Sequence, residues 1–83
     1  MYLVPPGESI KELAIENNLD DESVARHLNL SNIEYAKLIE GKIPIDAEIA
    51  ASLQNLFEVD MKFWLTLEEN YQESKRRLMN TLL

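Results

Sequence analysis

Apolar residues in this chain recur every three or four positions in five short blocks, and nowhere do they alternate with polar ones for long enough to make a strand. A period near 3.6 gathers apolar side chains on one face of a helix, so each block reads as an amphipathic helix with a face to bury. Glycine and proline occur only at Pro5-Pro6-Gly7, Gly41 and Pro44, outside the blocks. Helices joined by a few residues each pack on their chain neighbours. The expected class is all-α, with five helices in a single domain over residues 1–83.

The block ends carry their own signals. In the first block Ile10, Leu13, Ala14 and Asn17 share a face, and Asn17-Asn18 closes it. Asp20 opens the second as an N-cap, with Val24, Ala25 and Leu28 inward. Asn29 stands where a tight turn asks for a left-handed residue. Ser31 opens the third, and Glu34 three residues on completes a capping box. Tyr35, Leu38 and Ile39 face inward there, and Gly41 stops the helix. Lys42-Ile43-Pro44 leads to Asp46, the cap of a fourth block with Ile49, Leu53, Leu56 and Phe57 inward, and Ile45 with Ala50 forms a hydrophobic staple. Asp60 caps the fifth, where Trp64, Leu67, Tyr71 and Leu78 make one stripe and Lys75, Arg76 and Arg77 suit the negative end of the helix dipole. The second and third blocks, about nine residues each around a tight turn, have helix-turn-helix proportions.

Composition removes several classes of function. There is no cysteine, which excludes disulfides, thiolate metal sites and a cysteine nucleophile, and suits a reducing cytoplasm. The N-terminal stretch has no basic region ahead of a long apolar run, so no signal peptide is read, and no stretch nears the roughly 20 apolar residues of a membrane helix. His27 is the single histidine and has no metal-ligand partners at suitable spacing; it reads as a surface or turn residue. Most of the carboxylates fall at helix starts or on outer faces, and no nucleophile, base and orienting group can be assembled around them. No catalytic residue, metal or cofactor is assigned. The net charge of −7 opposes nucleic acid at long range. It is unevenly spread: residues 1–60 hold twelve acidic and four basic side chains, whereas residues 61–83 hold Lys62, Lys75, Arg76 and Arg77 against Glu68, Glu69 and Glu73. The helix-turn-helix lies in the acidic part.

Several stretches together resemble a known family. Pro6-Gly7-Glu8, Val24-Ala25-Arg26-His27-Leu28, Ser31, Gly41-Lys42-Ile43-Pro44-Ile45 and Phe63-Trp64-Leu65-Thr66-Leu67-Glu68-Glu69-Asn70-Tyr71 are similar to the HigA-type antitoxins, within the Xre/Cro-like helix-turn-helix regulators. The resemblance spans nearly the whole chain, and the Gly41 and Phe63 stretches are its most specific parts. It implies a five-helix, lambda-repressor-like helix-turn-helix fold, a homodimer, binding to the operator of its own gene, and neutralisation of a toxin. Similar segments also begin longer regulators with a zinc-peptidase-like domain, but this chain has no His-Glu-x-x-His. The family pattern places the recognition helix from Ser31 to about Glu40, with Ser31, Asn32, Ile33, Glu34 and Lys37 toward DNA. Asp20 and Asp21 stand where the pattern often has Ser-Gln, whose Gln touches the DNA backbone.

The candidate residues carry more than one reading. Ser31 and Glu34 are accounted for by capping; Asn32 can pair with adenine, Lys37 can reach guanine or phosphate, and Glu34 can accept from cytosine. Ile33 either meets a thymine methyl, meets a protein partner, or tucks under Leu30. Phe63, Trp64, Leu67, Tyr71 and Leu78 form either core or a dimer seam, with Met79, Leu82 and Leu83 as an apolar tail beyond. Two functions follow. One is a dimeric DNA-binding repressor of the antitoxin type reading a palindromic operator, with affinity made weak and salt-sensitive by the acidic surface. The alternative is an acidic interaction module of the same fold that binds a basic partner, such as a basic toxin, and has given up DNA.

Overall fold

A computed structural model describes residues 3–82, the side chain of Leu82 excepted. Five helices follow in order: α1 (Gly7–Glu16), α2 (Asp21–His27), α3 (Asn32–Ile39), α4 (Ala47–Phe57) and α5 (Met61–Leu82), with no strand among the described residues. Four of the starts are made by side chains. The Asp20 carboxylate accepts the Ser23 N–H at 2.8 Å, and the Asp46 carboxylate accepts the Ile49 N–H at 2.8 Å. Ser31 Oγ accepts the Glu34 N–H at 3.1 Å while Glu34 Oε1 accepts the Ser31 N–H at 2.9 Å, closing the capping box. The Asp60 carboxylate accepts the Lys62 N–H at 2.8 Å. Asn18, Asn29 and Glu58 turn the chain with φ of 57°, 60° and 58°. Asn17 departs from its expected inward place: it lies one residue past α1, exposed, and its Nδ2 donates back to the Leu13 carbonyl at 2.7 Å. That carbonyl also accepts the Asn17 backbone N–H at 3.0 Å, so the side chain adds a second bond at the helix end instead of filling the core.

The five largest fully buried side chains are Ile10, Val24, Leu38, Leu53 and Trp64, one from each helix. Burying each contributes about 1.5–3 kcal/mol, and together they tie every helix to one centre. Helices α1 and α2 pack on α3, and α4 packs on α5. Phe63, expected with the core aromatics, is 46% exposed and meets Trp64 edge-on at 5.2 Å between ring centroids. Its neighbour in sequence points about 100° away around a helix, so the two cannot both face the centre. Leu67, Tyr71 and Leu78 are half-buried. Helix α5 is about 33 Å long at 1.5 Å per residue, within a molecule 41 × 24 × 21 Å. Met79 on its outer turns is exposed, while Leu83 and the Leu82 side chain of the expected apolar tail lie outside the described residues.

The end of α3 is fastened from two sides. A Cβ at Gly7 would collide with the backbone of Ile39, so the first turn of α1 rests directly on the last turn of α3. Gly41, with φ of 80°, leaves the space taken by the Tyr71 ring and Pro5; a Cβ there would lie 2.7 Å from Tyr71 Oη. Four residues on, the Ile45 N–H donates to buried Glu68 at 2.9 Å, and Gln72 Nε2 donates to the other oxygen of that carboxyl group. The stretches 41–45 and 63–71, far apart in sequence, are thus two sides of one junction.

Candidate nucleic-acid interface

The α2–turn–α3 unit is set by its own backbone. The Asn29 N–H donates to the Arg26 carbonyl at 3.1 Å and the Leu30 N–H to the Ala25 carbonyl at 2.9 Å, which turns α3 across α2. Tyr35 and Leu38 are buried and fix how α3 is rolled about its axis. That roll leaves Ser31, Asn32, Ile33, Glu34 and Lys37 exposed together at the start of the helix.

These five residues are not equally free. Ser31 and Glu34 are occupied with each other. The bond from the Ser31 backbone, aided by its hydroxyl, holds the Glu34 carboxyl below its ordinary value of 4.5. One of its oxygens is therefore committed to the cap. Ile33 is 71% exposed, which removes the reading in which it tucks under Leu30. Asn32 has an exposed amide at the helix entrance. Lys37 is exposed one turn on, and among the described residues no carboxylate lies within ion-pair distance of it. The chemically available strip is Asn32, Ile33 and Lys37: an amide that can bridge a base edge, an alkyl group, and a cation.

The flank is acidic. Asp21 and Glu22 are exposed on the first turn of α2, with Glu22 3.6 Å from Arg26. The Ser23 backbone bond holds the Asp20 carboxyl below its ordinary value of 3.8, with the Ser23 hydroxyl adding to it. Lys42 is paired to Glu40 at 2.9 Å. His27 is exposed on the last turn of α2, where its Nδ1–H donates to the Ser23 carbonyl at 2.8 Å. Among the described residues no three His, Asp or Glu side chains are placed to hold a metal ion, and no helix is long and apolar enough to cross a membrane.

Two features escaped the sequence reading. Glu68 entered only as a charge and as part of the Phe63–Tyr71 stretch, yet it is 8% exposed and fastens the loop after α3. Gly7 lies outside the first apolar block, yet it is the first residue of α1 and permits a backbone contact with Ile39. Spacing encodes neither, because both depend on what arrives from elsewhere in the chain.

The arrangement defines an all-helical helix-turn-helix protein. The antitoxin HigA of Pseudomonas aeruginosa, solved with the higBA promoter, has the same fold at TM-score 0.84, with 23% identity over 96% of this chain and 88% of that one. An addiction module antidote protein of the HigA family from Coxiella burnetii matches at TM-score 0.73, with 24% identity over 96% of this chain and 95% of that one. No protein-family model matches the chain, and no curated protein does. The fold expected from the Gly41 and Phe63 stretches is therefore the one found, carried by structure where overall sequence identity is low.

Proposed function

We propose that this protein is a cytoplasmic, DNA-binding transcriptional regulator of the antitoxin type, a repressor that reads a palindromic operator as a homodimer. The observation that carries this reading is the free strip of Asn32, Ile33 and Lys37 at the entrance of a helix whose roll is fixed by the core. The likeness in fold to a HigA solved with promoter DNA supports it. In this reading Asn32 and Ile33 meet base edges, Lys37 meets phosphate or guanine, and Ser31 and Glu34 hold the helix entrance in shape. Two copies, joined along the Phe63, Leu67, Tyr71 and Leu78 side of α5, would set two α3 helices about 34 Å apart along the duplex. The test is fluorescence anisotropy with DNA from upstream of the protein's own gene, against a scrambled duplex, at low and moderate salt. Preferential binding that falls steeply with salt supports the reading. Equal binding to both duplexes, or none at low salt, removes it.

The exposed Asp21 and Glu22 favour a second reading, in which the protein binds a basic partner such as a toxin. In that reading DNA is no longer bound, so the anisotropy experiment separates the two.

A further inference from the structure

Helix α5 makes two kinds of contact on neighbouring sides. The side with Leu67 and Tyr71 belongs to the seam proposed for the homodimer. Glu68 and Gln72 each follow one of these residues, about 100° further round the helix, and they reach the loop after α3. Among the described residues, the bond from the Ile45 N–H to Glu68 is the one side-chain hydrogen bond that joins distant parts of the chain. It spans 23 positions, and the next longest spans 7. Glu68 is also the only buried charged side chain there, and no cation lies within ion-pair distance of it. A carboxyl group kept from water by neutral donors is a costly way to fill space, which an apolar side chain would fill without that cost. What it supplies is direction, because apolar packing is non-directional and a hydrogen bond holds an angle. Direction matters at this place. α3 packs on α1 and α2, whereas α5 packs on α4. Outside the apolar centre the two groups are joined where Tyr71 fills the space beside Gly41 and where Glu68 holds Ile45.

We propose that Glu68 is a positioning residue for DNA reading: it fixes the angle of α3 to α5, and with it the half-site spacing that the homodimer accepts. The inference rests on the regulator reading given above. In a dimer joined along α5, each α3 is carried by its own α5, so any play at the junction appears twice in the separation of the two α3 helices. One base pair moves a half-site about 3.4 Å along the duplex and about a tenth of a turn round it. An α3 held by apolar contact alone can follow part of that shift, and one fastened at Glu68 cannot. Gln72 holds the second oxygen of the carboxyl group, so the first stays aimed at the Ile45 N–H.

The test needs no ligand at first. The chain has no cysteine, so Ala36→Cys, at an exposed position of α3, puts one spin label on each copy. Pulsed electron resonance should give one narrow distance between copies in the parent, and a broad or displaced one in Glu68→Ala that is still a dimer in sedimentation velocity. Glu68→Gln keeps an acceptor for the Ile45 N–H and restores the narrow distance. Operator duplexes with one base pair added or removed at the two-fold centre give the functional readout. The parent loses roughly a hundredfold on these, the lower end of what engaging two sites together adds, and Glu68→Ala loses less than about tenfold. Affinity for a duplex with a single half-site is the same in both. Where Glu68→Ala does not fold, Gln72→Ala broadens the distance in the same direction. A folded, dimeric variant with the parent's distance and the parent's spacing preference overturns the proposal, as does Glu68→Gln behaving like Glu68→Ala. A parent that is a single chain overturns it as well. A parent that binds no operator removes the regulator reading instead, and the spin-label distances then decide the role of Glu68.

Discussion

Glu68 shows how much one side chain can settle. It sits in α5, yet its carboxyl group closes the hydrogen bond of a loop that follows α3. Glu68→Ala leaves the Ile45 N–H without its acceptor and should cost about 1–3 kcal/mol in urea denaturation. A loss below about 0.5 kcal/mol, the usual scale of a neutral surface change, would mean water replaces the carboxyl group there. Gly7→Ala forces a methyl into the Ile39 backbone and should cost about 1–3 kcal/mol, read as a lower midpoint at unchanged slope. Two capping carboxylates make stability depend on acid. Asp20 and Glu34 are both held below their ordinary values of 3.8 and 4.5 in the folded chain. Their contribution is therefore complete above those values and is lost as pH falls through the lower folded ones. The denaturation midpoint should fall below about pH 4.5, and the double variant Asp20→Asn, Glu34→Gln should flatten that fall. An unchanged profile would place the acid sensitivity in other groups.

At the scale of the element, α3 was the most legible part of the sequence. Ser31, Glu34 and Gly41 are local signals whose meaning is complete within a few residues, and the structure uses all three. The same holds for Asp20, Asp46 and Asp60. The stripe of Trp64, Leu67, Tyr71 and Leu78 named the inward aromatic, and what periodicity could not supply was that Phe63 beside it stays on the outer side, edge-on to Trp64. Within the candidate site, capping and contact were both readable for Ser31 and Glu34, and the hydrogen bonds of the box show the capping. Lys37→Glu tests the element directly. It should lower operator affinity tenfold or more and reduce the dependence on salt, while leaving thermal stability nearly unchanged. An affinity equal to that of the parent would take α3 away from DNA.

For the whole molecule the open surface of α5 matters most. Phe63 and Met79 are exposed and Leu78 is half-buried on a helix that outruns the body it packs against. Sedimentation velocity should return a particle of twice 9.6 kDa, and Phe63→Glu should return the single chain. A single chain from the parent protein at micromolar concentration would exclude a paired reader of two half-sites. In the sequence the proposed pairing rests on the family resemblance and an apolar stripe, and such a stripe reads alike whether it meets its own chain or another copy. The position of Trp64 carries a last consequence, one of timing. The centre touched by all five helices is completed by a residue from the final one. During synthesis the chain emerges N-terminus first, so Ile10, Val24, Leu38 and Leu53 leave the ribosome before the side chain that covers them. The helix-turn-helix is thus translated early, while the centre on which it rests closes only once α5 has emerged.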